Sequence, residues 1–221
     1  MIRSFKAKKD SFEYGILLFK ELERVAEFNV LFGGNGVGKT TLIDAIKQGN
    51  LEVEFNRDTE VLSYINSDDN IRNIDRKLDH FYSSKKTIEP SMEDIASKLH
   101  ANTLSEGQSI IYSLIRFLGF AEGKLKESKK DLVLLFDEVD SGLSSENINM
   151  FVHLLLDLID RYKGRIQVFV SSNNYHFVFI FKTVLNMYTG KYEKINSYEE
   201  YYKLLAENMV KLGKKRGLNF L

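Results

Sequence analysis

The segment at residues 33–40 carries a pattern of residues suited to phosphate chemistry. Its sequence G-G-N-G-V-G-K-T fits G-x-x-x-x-G-K-[ST] and stands between a short apolar predicted strand and a predicted helix. In such a loop, glycines let backbone N–H groups turn toward phosphate oxygens, and the helix N-terminus adds positive potential. Lys39 would reach the β- and γ-phosphates, and the Thr40 hydroxyl would be placed for Mg²⁺. The predicted phosphate-binding residues are Gly33, Asn35, Gly36, Val37, Gly38, Lys39, Thr40 and Thr41. A glycine turn without a ligand would not need lysine and threonine at those two positions.

A second chemical element is the apolar segment at residues 132–136, which is followed by two carboxylates. In phosphate-loop enzymes, a strand beside the one that precedes the loop ends in this way, so we expect this strand to have that neighbour. Asp137 would then help to hold Mg²⁺. Glu138 would point at the γ-phosphate and polarise or deprotonate the attacking water. An acid-terminated strand is common by itself, and the upstream loop is what gives this one a predicted role.

A third element is the pentapeptide L-S-E-G-Q at residues 104–108, which differs by one residue from L-S-G-G-Q. In this order, the three elements resemble those of ATP-binding-cassette (ABC) ATPases. The resemblance implies that Ser105, Gly107 and Gln108 begin a helix whose N-terminus closes over the γ-phosphate held by a second protomer. Taken alone, Ser105 would be read as an N-cap with Glu106 in the first turn.

Two positions depart from the ABC pattern. Ser172 stands where the family usually has a switch histidine, so a hydrogen-bonding role is predicted there in place of a proton-mediated one. Asn66 is the nearest amide to the position of the family's loop glutamine, and we predict that it contacts the metal or its water.

Residues 139–144 resemble the family's D-loop, which implies a contact of Asp140 or Ser141 across a dimer; a simple glycine turn is the alternative.

The amino-acid composition of the chain limits the kinds of partner that it is expected to bind. Lys plus Arg and Asp plus Glu number 31 each, so the chain lacks the basic excess that non-specific nucleic-acid binding usually brings. A nucleic-acid partner stays open but is not indicated by charge. The absence of cysteine excludes disulfides and thiolate zinc sites and fits a cytoplasmic location. No stretch approaches the roughly 20 apolar residues of a membrane span, so no direct membrane insertion is expected.

The alternation of predicted strands and helices indicates an α/β fold in one domain over residues 1–221. We expect the P-loop NTPase architecture of an ABC ATPase head: a mostly parallel sheet flanked by helices, antiparallel N-terminal strands and a small helical lobe at 68–120 that includes the L-S-E-G-Q motif. Strands are predicted at 14–20, 28–32, 51–55, 61–66, 132–136 and 166–170, with a hairpin at 184–195. Helices are predicted at 40–47, from 105, at 147–161 and at 198–209.

The resemblance implies an ATPase that binds Mg²⁺ and ATP at two composite sites of a homodimer, an ATP sandwich. We place the chain in the soluble SMC-, RecF- and OLD-like branch, which includes small stand-alone ATPases of defence and toxin modules. Its dimerisation would drive or regulate a separate effector, with a nucleic-acid link in genome maintenance or phage defence. The first alternative is the nucleotide-binding subunit of an ABC membrane transporter. The second is an ATP-binding regulatory module with little turnover.

Overall fold

The fold is given by a computed structural model, in which residues 1–65, 106–172 and 174–215 are described. The strands are β1 (Ile2–Ala7), β2 (Glu21–Leu22), β3 (Phe28–Phe32), β4 (Leu51–Phe55), β5 (Thr59–Ile65), β6 (Asp131–Asp137), β7 (Ile166–Ser171), β8 (Thr183–Asn186) and β9 (Lys191–Lys194). The helices are α1 (Phe12–Ile16), α2 (Lys39–Gln48), α3 (Glu106–Glu127), α4 (Ser145–Arg161), α5 (Tyr175–Phe181) and α6 (Tyr198–Lys215).

The main sheet has the strand order β5-β6-β7-β3-β8-β9. All neighbouring pairs are parallel except β8 and β9, which form the predicted antiparallel hairpin. A second sheet, β2-β1-β4, is antiparallel. These features confirm the predicted fold class. The expectation that the acid-terminated strand lies beside the strand of the phosphate loop is wrong, because β7 pairs with both β6 and β3 and separates them.

The sheet is covered on both faces, which explains why its central strands are buried and mostly apolar. Successive side chains of a strand point to opposite faces. In β6, Leu132, Leu134 and Phe136 pack into the cluster that contains the apolar sides of α3 and α4. Val133 and Leu135 pack into the other cluster, with α2 and the small sheet. The acids that follow are therefore presented at the end of a strand fixed from both sides.

The N-terminal region differs from the prediction. A strand was expected over residues 14–20, but this stretch contains the second half of α1 and the irregular chain that follows it. The Ser11 side chain accepts a hydrogen bond from the Tyr14 N–H at 3.2 Å, and this N-cap starts the helix. β1 was not predicted, since polar residues interrupt its short apolar pattern.

Three predicted features lie wholly or partly outside the described residues. These are Asn66, Ser105 and the part of the predicted lobe that precedes residue 106. From residue 106 onward, α3 is a continuous helix whose apolar side packs against β6 and α4.

Across residues 1–65, 106–172 and 174–215, no helix combines the length and apolar character that a membrane crossing needs.

Candidate active site

The predicted site elements meet at one edge of the main sheet, where the parallel strands β3, β7 and β6 end. Their register places Leu31 of β3 beside Ser171 of β7, and Val170 beside Phe136 of β6. Loops that follow neighbouring parallel strands form a crevice at this edge. The phosphate loop follows β3, and the carboxylates stand at the end of β6, so the topology brings together the first two motifs.

The phosphate loop links β3 to α2 through backbone conformations that favour glycine. Gly33, Gly36 and Gly38 have φ angles of +155°, +75° and +98°. A side chain at Gly33 would come within 2.6 Å of Val37 Cγ1, whereas one at Gly36 would meet open space. Val37, Gly38 and Lys39 are buried, Asn35, Gly36 and Thr40 are exposed, and Thr41 is half-buried. The loop therefore offers an open cradle of backbone groups.

Lys39 begins α2, and its side chain folds back into this loop. Its ammonium donates hydrogen bonds to the carbonyls of Gly33 at 2.7 Å and Gly34 at 3.3 Å. Only 7% of the residue is exposed, and this burial lowers the pKa of Lys39, with the charges of Glu138 and Asp137 opposing the shift. A poorly hydrated cation at a helix N-terminus is suited to binding a phosphate anion.

The two predicted metal ligands of the described chain are in contact. The Thr40 hydroxyl lies 3.3 Å from Asp137 Oδ1 and donates to it. Asp137 is buried, whereas Thr40 is exposed to solvent. A hydroxyl and a carboxylate oxygen are the ligands that Mg²⁺ prefers, together with waters and phosphate oxygens. This pair fits the ion that the sequence predicted.

Glu138 occupies a left-handed backbone conformation with φ +48°, which is uncommon for a non-glycine residue. Its N–H donates to the Ser171 hydroxyl at 3.4 Å, and the next residue, Val139, is fully buried. Glu138 itself is exposed. Sequence reasoning predicted Glu138 but missed Ser171, whose only signal is its position at the end of a buried apolar strand.

Ser172, the predicted replacement for the switch histidine, is buried and lies between the end of β7 and the start of α5. Its hydroxyl accepts a hydrogen bond from the Asn174 N–H at 3.0 Å. Asn174 caps α5 by accepting from the His176 N–H at 2.8 Å. Ser172 thus shapes the turn that starts this helix, and its role at the γ-phosphate stays a prediction.

The described part of the L-S-E-G-Q motif lies against the turn that follows Glu138. A side chain at Gly107 would come within 3.0 Å of the Gly142 carbonyl, so close approach explains the glycine at 107. The turn is closed by a hydrogen bond of 3.0 Å from the Ser141 N–H to the Glu138 carbonyl. Gln108 is exposed one residue further along α3. The phosphate-binding role of Gly107 and Gln108 stays a prediction.

Sequence reasoning also missed Tyr188 and Met209, both of which lie beside the phosphate loop. The Tyr188 hydroxyl accepts a hydrogen bond from the Gly34 N–H at 3.1 Å. The Met209 sulfur would lie 3.6 Å from a side chain placed at Gly34. Neither residue belongs to a phosphate-binding pattern, and both are more than 150 positions along the chain from the loop.

The architecture is similar to that of several solved structures. The dimeric structure of MJ0796, a bacterial ABC transporter cassette, matches with a TM-score of 0.54 and 17% identity, over 90% of this chain and 100% of that one. MJ1267, an ATP-binding cassette of an ABC transporter, gives 0.52 and 16%, over 96% and 97%. CbiO1 from Clostridium perfringens, part of the ABC transporter complex cbiONQ, gives 0.51 and 17%, over 96% of each chain.

The chain has the fold of an ABC ATPase. At these identities the likeness establishes the fold and leaves the activity to be argued from the site. No protein-family model matches the chain, and no curated protein matches it.

Proposed function

We propose that the protein binds Mg-ATP and hydrolyses it to ADP and phosphate. The observation that carries the proposal is the contact between Thr40 and Asp137, because it joins the start of α2 to the end of β6. Lys39 lies in the loop beside this pair. A glycine cradle, a buried lysine and oxygen ligands for Mg²⁺ at the end of a parallel sheet are the parts that phosphoryl transfer requires.

Each residue has a distinct chemical role in this proposal. The backbone N–H groups of the loop and the Lys39 ammonium would bind the triphosphate and neutralise its charge. Thr40 and Asp137 would hold Mg²⁺, which withdraws electron density from the phosphate oxygens. The Glu138 carboxylate would accept a proton from water as the water oxygen bonds to the γ-phosphorus. The bond to the β–γ bridging oxygen breaks, and its electron pair leaves with ADP.

The proposed active form is a head-to-tail homodimer. Ser105, Gly107 and Gln108 of one protomer would contact the γ-phosphate held by its partner, completing the composite site. Nucleotide charge is then satisfied only when both surfaces close, so ATP favours the closed dimer and hydrolysis reopens it. The similar cassette MJ0796 is described as dimeric, which supports this arrangement.

The test uses Glu138→Gln, which keeps the shape of the side chain and removes the base. We expect phosphate release to fall about 10²- to 10⁴-fold and an ATP-dependent dimer to accumulate on a sizing column. Glu146→Gln, at an exposed position in the first turn of α4, is the matched control and should behave as wild type. A monomeric Glu138→Gln protein under saturating Mg-ATP would contradict the dimer. Tight ATP retention by the wild type without phosphate release would favour the regulatory module with little turnover.

The motion of the dimer would drive or regulate a separate effector, with a link to genome maintenance or defence. A transporter subunit is the second candidate, and the observation in its favour is that the similar structures are cassettes of ABC transporters. Purification of the tagged chain from its native host, with and without detergent, separates the two. A membrane-spanning partner would support the transporter subunit, and a partner recovered without detergent would support the effector.

A further inference from the structure

The second residue of the phosphate loop is held by a tyrosine from the β8–β9 hairpin. The Gly34 N–H donates to the Tyr188 hydroxyl at 3.1 Å, while the Gly34 carbonyl accepts from Lys39 at 3.3 Å. Both polar groups of this residue are therefore bound by side chains. The Tyr188 ring also lies 3.2 Å from the position of a side chain at Gly33.

Gly34 differs from the other glycines of the loop. Its φ lies outside the left-handed region that accounts for Gly33, Gly36 and Gly38, so its backbone conformation does not explain the glycine. The residues packed around position 34 explain the glycine. A side-chain Cβ at position 34 would come within 3.1 Å of the Tyr188 oxygen and 3.6 Å of the Met209 sulfur. The space that a larger residue would need is filled by the hairpin and by α6.

Tyr188 is itself held in place by the turn of the hairpin. Its N–H donates to Asn186 Oδ1 at 2.9 Å, and the Asn186 amide donates to Glu193 at 2.8 Å. Gly190 closes the turn with φ +68°, and a side chain there would meet the Phe19 ring at 2.6 Å. The hydrogen bonds and packing of this turn therefore hold the Tyr188 hydroxyl in a defined position.

We propose that Tyr188 is a positioning residue for the phosphate loop: its hydroxyl fixes the Gly34 peptide, so that Lys39 and the N–H groups of the loop are aligned for the triphosphate. The inference rests on the proposed ATP-binding function. The β8–β9 hairpin would then contribute to nucleotide affinity, although it carries no phosphate-binding motif. Tyr188 is not a catalytic residue in this proposal, since it acts through the backbone of Gly34.

The first test is Tyr188→Phe, which removes one oxygen. We expect the Kd for Mg-ATP to rise about 3- to 10-fold, as for the loss of one neutral hydrogen bond, with kcat little changed. The control is Tyr192→Phe in the same hairpin. The Tyr192 hydroxyl accepts from the Ala26 N–H at 2.9 Å and contacts Asn29, at the end of β3 that is opposite to the loop. This control should lower the Tm and leave the Kd for ATP unchanged.

The second test is a double-mutant cycle with Gly34→Ala. The new methyl group is crowded by the Tyr188 oxygen, so the single variant should bind ATP more weakly than Tyr188→Phe does. In the combined variant that oxygen is gone, and the next neighbour, Met209, lies at an ordinary contact distance of 3.6 Å. We expect the combined variant to bind ATP as well as Tyr188→Phe alone. If the losses in ATP affinity of the two single variants multiply in the combined variant, direct contact between positions 34 and 188 is contradicted.

The third measurement needs no nucleotide. Protein labelled with ¹⁵N-glycine gives one amide signal per glycine, and the Gly34 signal is the one that disappears in Gly34→Ala. Hydrogen exchange of this amide should be about 10-fold faster in Tyr188→Phe and unchanged in Tyr192→Phe. If Tyr188→Phe matches the wild type in both exchange and ATP affinity, the inference is overturned while ATP binding stands. If the wild type does not bind ATP at all, the proposed function fails, and the positioning role fails with it.

Discussion

The phosphate loop and the end of β6 supply the two halves of the site, and they are held in different ways. β6 lies between β5 and β7, is buried along its whole length, and delivers Asp137 by strand register alone. The loop relies on glycine conformations and on side chains from distant segments, above all Tyr188. A carboxylate site can thus be built from one well-packed strand, whereas a cradle of backbone groups needs support from outside its own sequence.

The largest expected effect comes from replacing Lys39, whose ammonium folds back into the phosphate loop. Lys39→Met should raise the Kd for Mg-ATP about 100-fold, because hydrogen bonds between a cation and the phosphates are lost. Isothermal titration measures this, with Lys47→Met, at an exposed position of α2, as the control. Equal affinities of the two variants would show that the loop does not bind phosphate through Lys39.

The same variant also tests how the loop tolerates its buried charge. The folded-state pKa of Lys39 is lowered, chiefly by burial, so its charged form is disfavoured in the folded protein. The resulting penalty is fully present below the folded-state pKa and disappears as the pH rises toward 10.5, the ordinary value for lysine. The Tm of the wild type, measured relative to that of Lys39→Met, should therefore rise as the pH is raised from 7 toward 10.5.

An intermediate effect is expected from Gly33→Ala, which tests the glycine part of the loop. The methyl group would lie 2.6 Å from Val37, and the backbone would be strained. We expect a loss of about 2 kcal/mol in stability, seen as a Tm lower by roughly 4–8 °C, together with weaker ATP binding. Gly49→Ala is the control, since Gly49 has φ +71° and open space around it. Its loss should be about 1 kcal/mol, with no change in ATP binding.

The smallest effect concerns the end of β6, where the backbone of Glu138 is in a disfavoured conformation. Replacing Glu138 by glycine and by alanine removes the same carboxylate, so both variants should lose hydrolysis. The glycine variant should be more stable by about 1 kcal/mol, or roughly 2–4 °C in Tm. At Glu146, in the first turn of α4, the order should be reversed, because glycine is the poorer helix former. Equal Tm values of the two Glu138 variants would exclude strain at this position.

The sequence predicted the features that arise from short-range patterns. The continuous apolar segment of β6, the glycines before Lys39 and the turn between β8 and β9 each have a local physical cause, and the structure contains all three. The order of strands has no such local cause. β7 lies between β3 and β6, although it follows both in the chain, and only the packing of the whole sheet determines that position.

The missed parts have two explanations. Ser11 caps a short helix by accepting a hydrogen bond from the Tyr14 N–H, and this local cap outweighs the strand-like pattern of residues 14–20. Tyr188 and Ser171 contribute single hydroxyls whose partners are remote in sequence. A hydroxyl contact of this kind leaves no spacing pattern, so it becomes visible only when the chain is folded.

The turn that closes after Glu138 links two surfaces with different partners. The Glu138 carbonyl holds the Ser141 N–H, and one residue later the Gly142 carbonyl abuts Gly107 at the start of α3. In the proposed homodimer, Glu138 serves a protomer's own nucleotide and Gly107 serves its neighbour's. Gly142 follows Glu138 by four positions, so a movement at one composite site would reach the other through a short stretch of chain. In that dimer the two composite sites would be coupled through this turn.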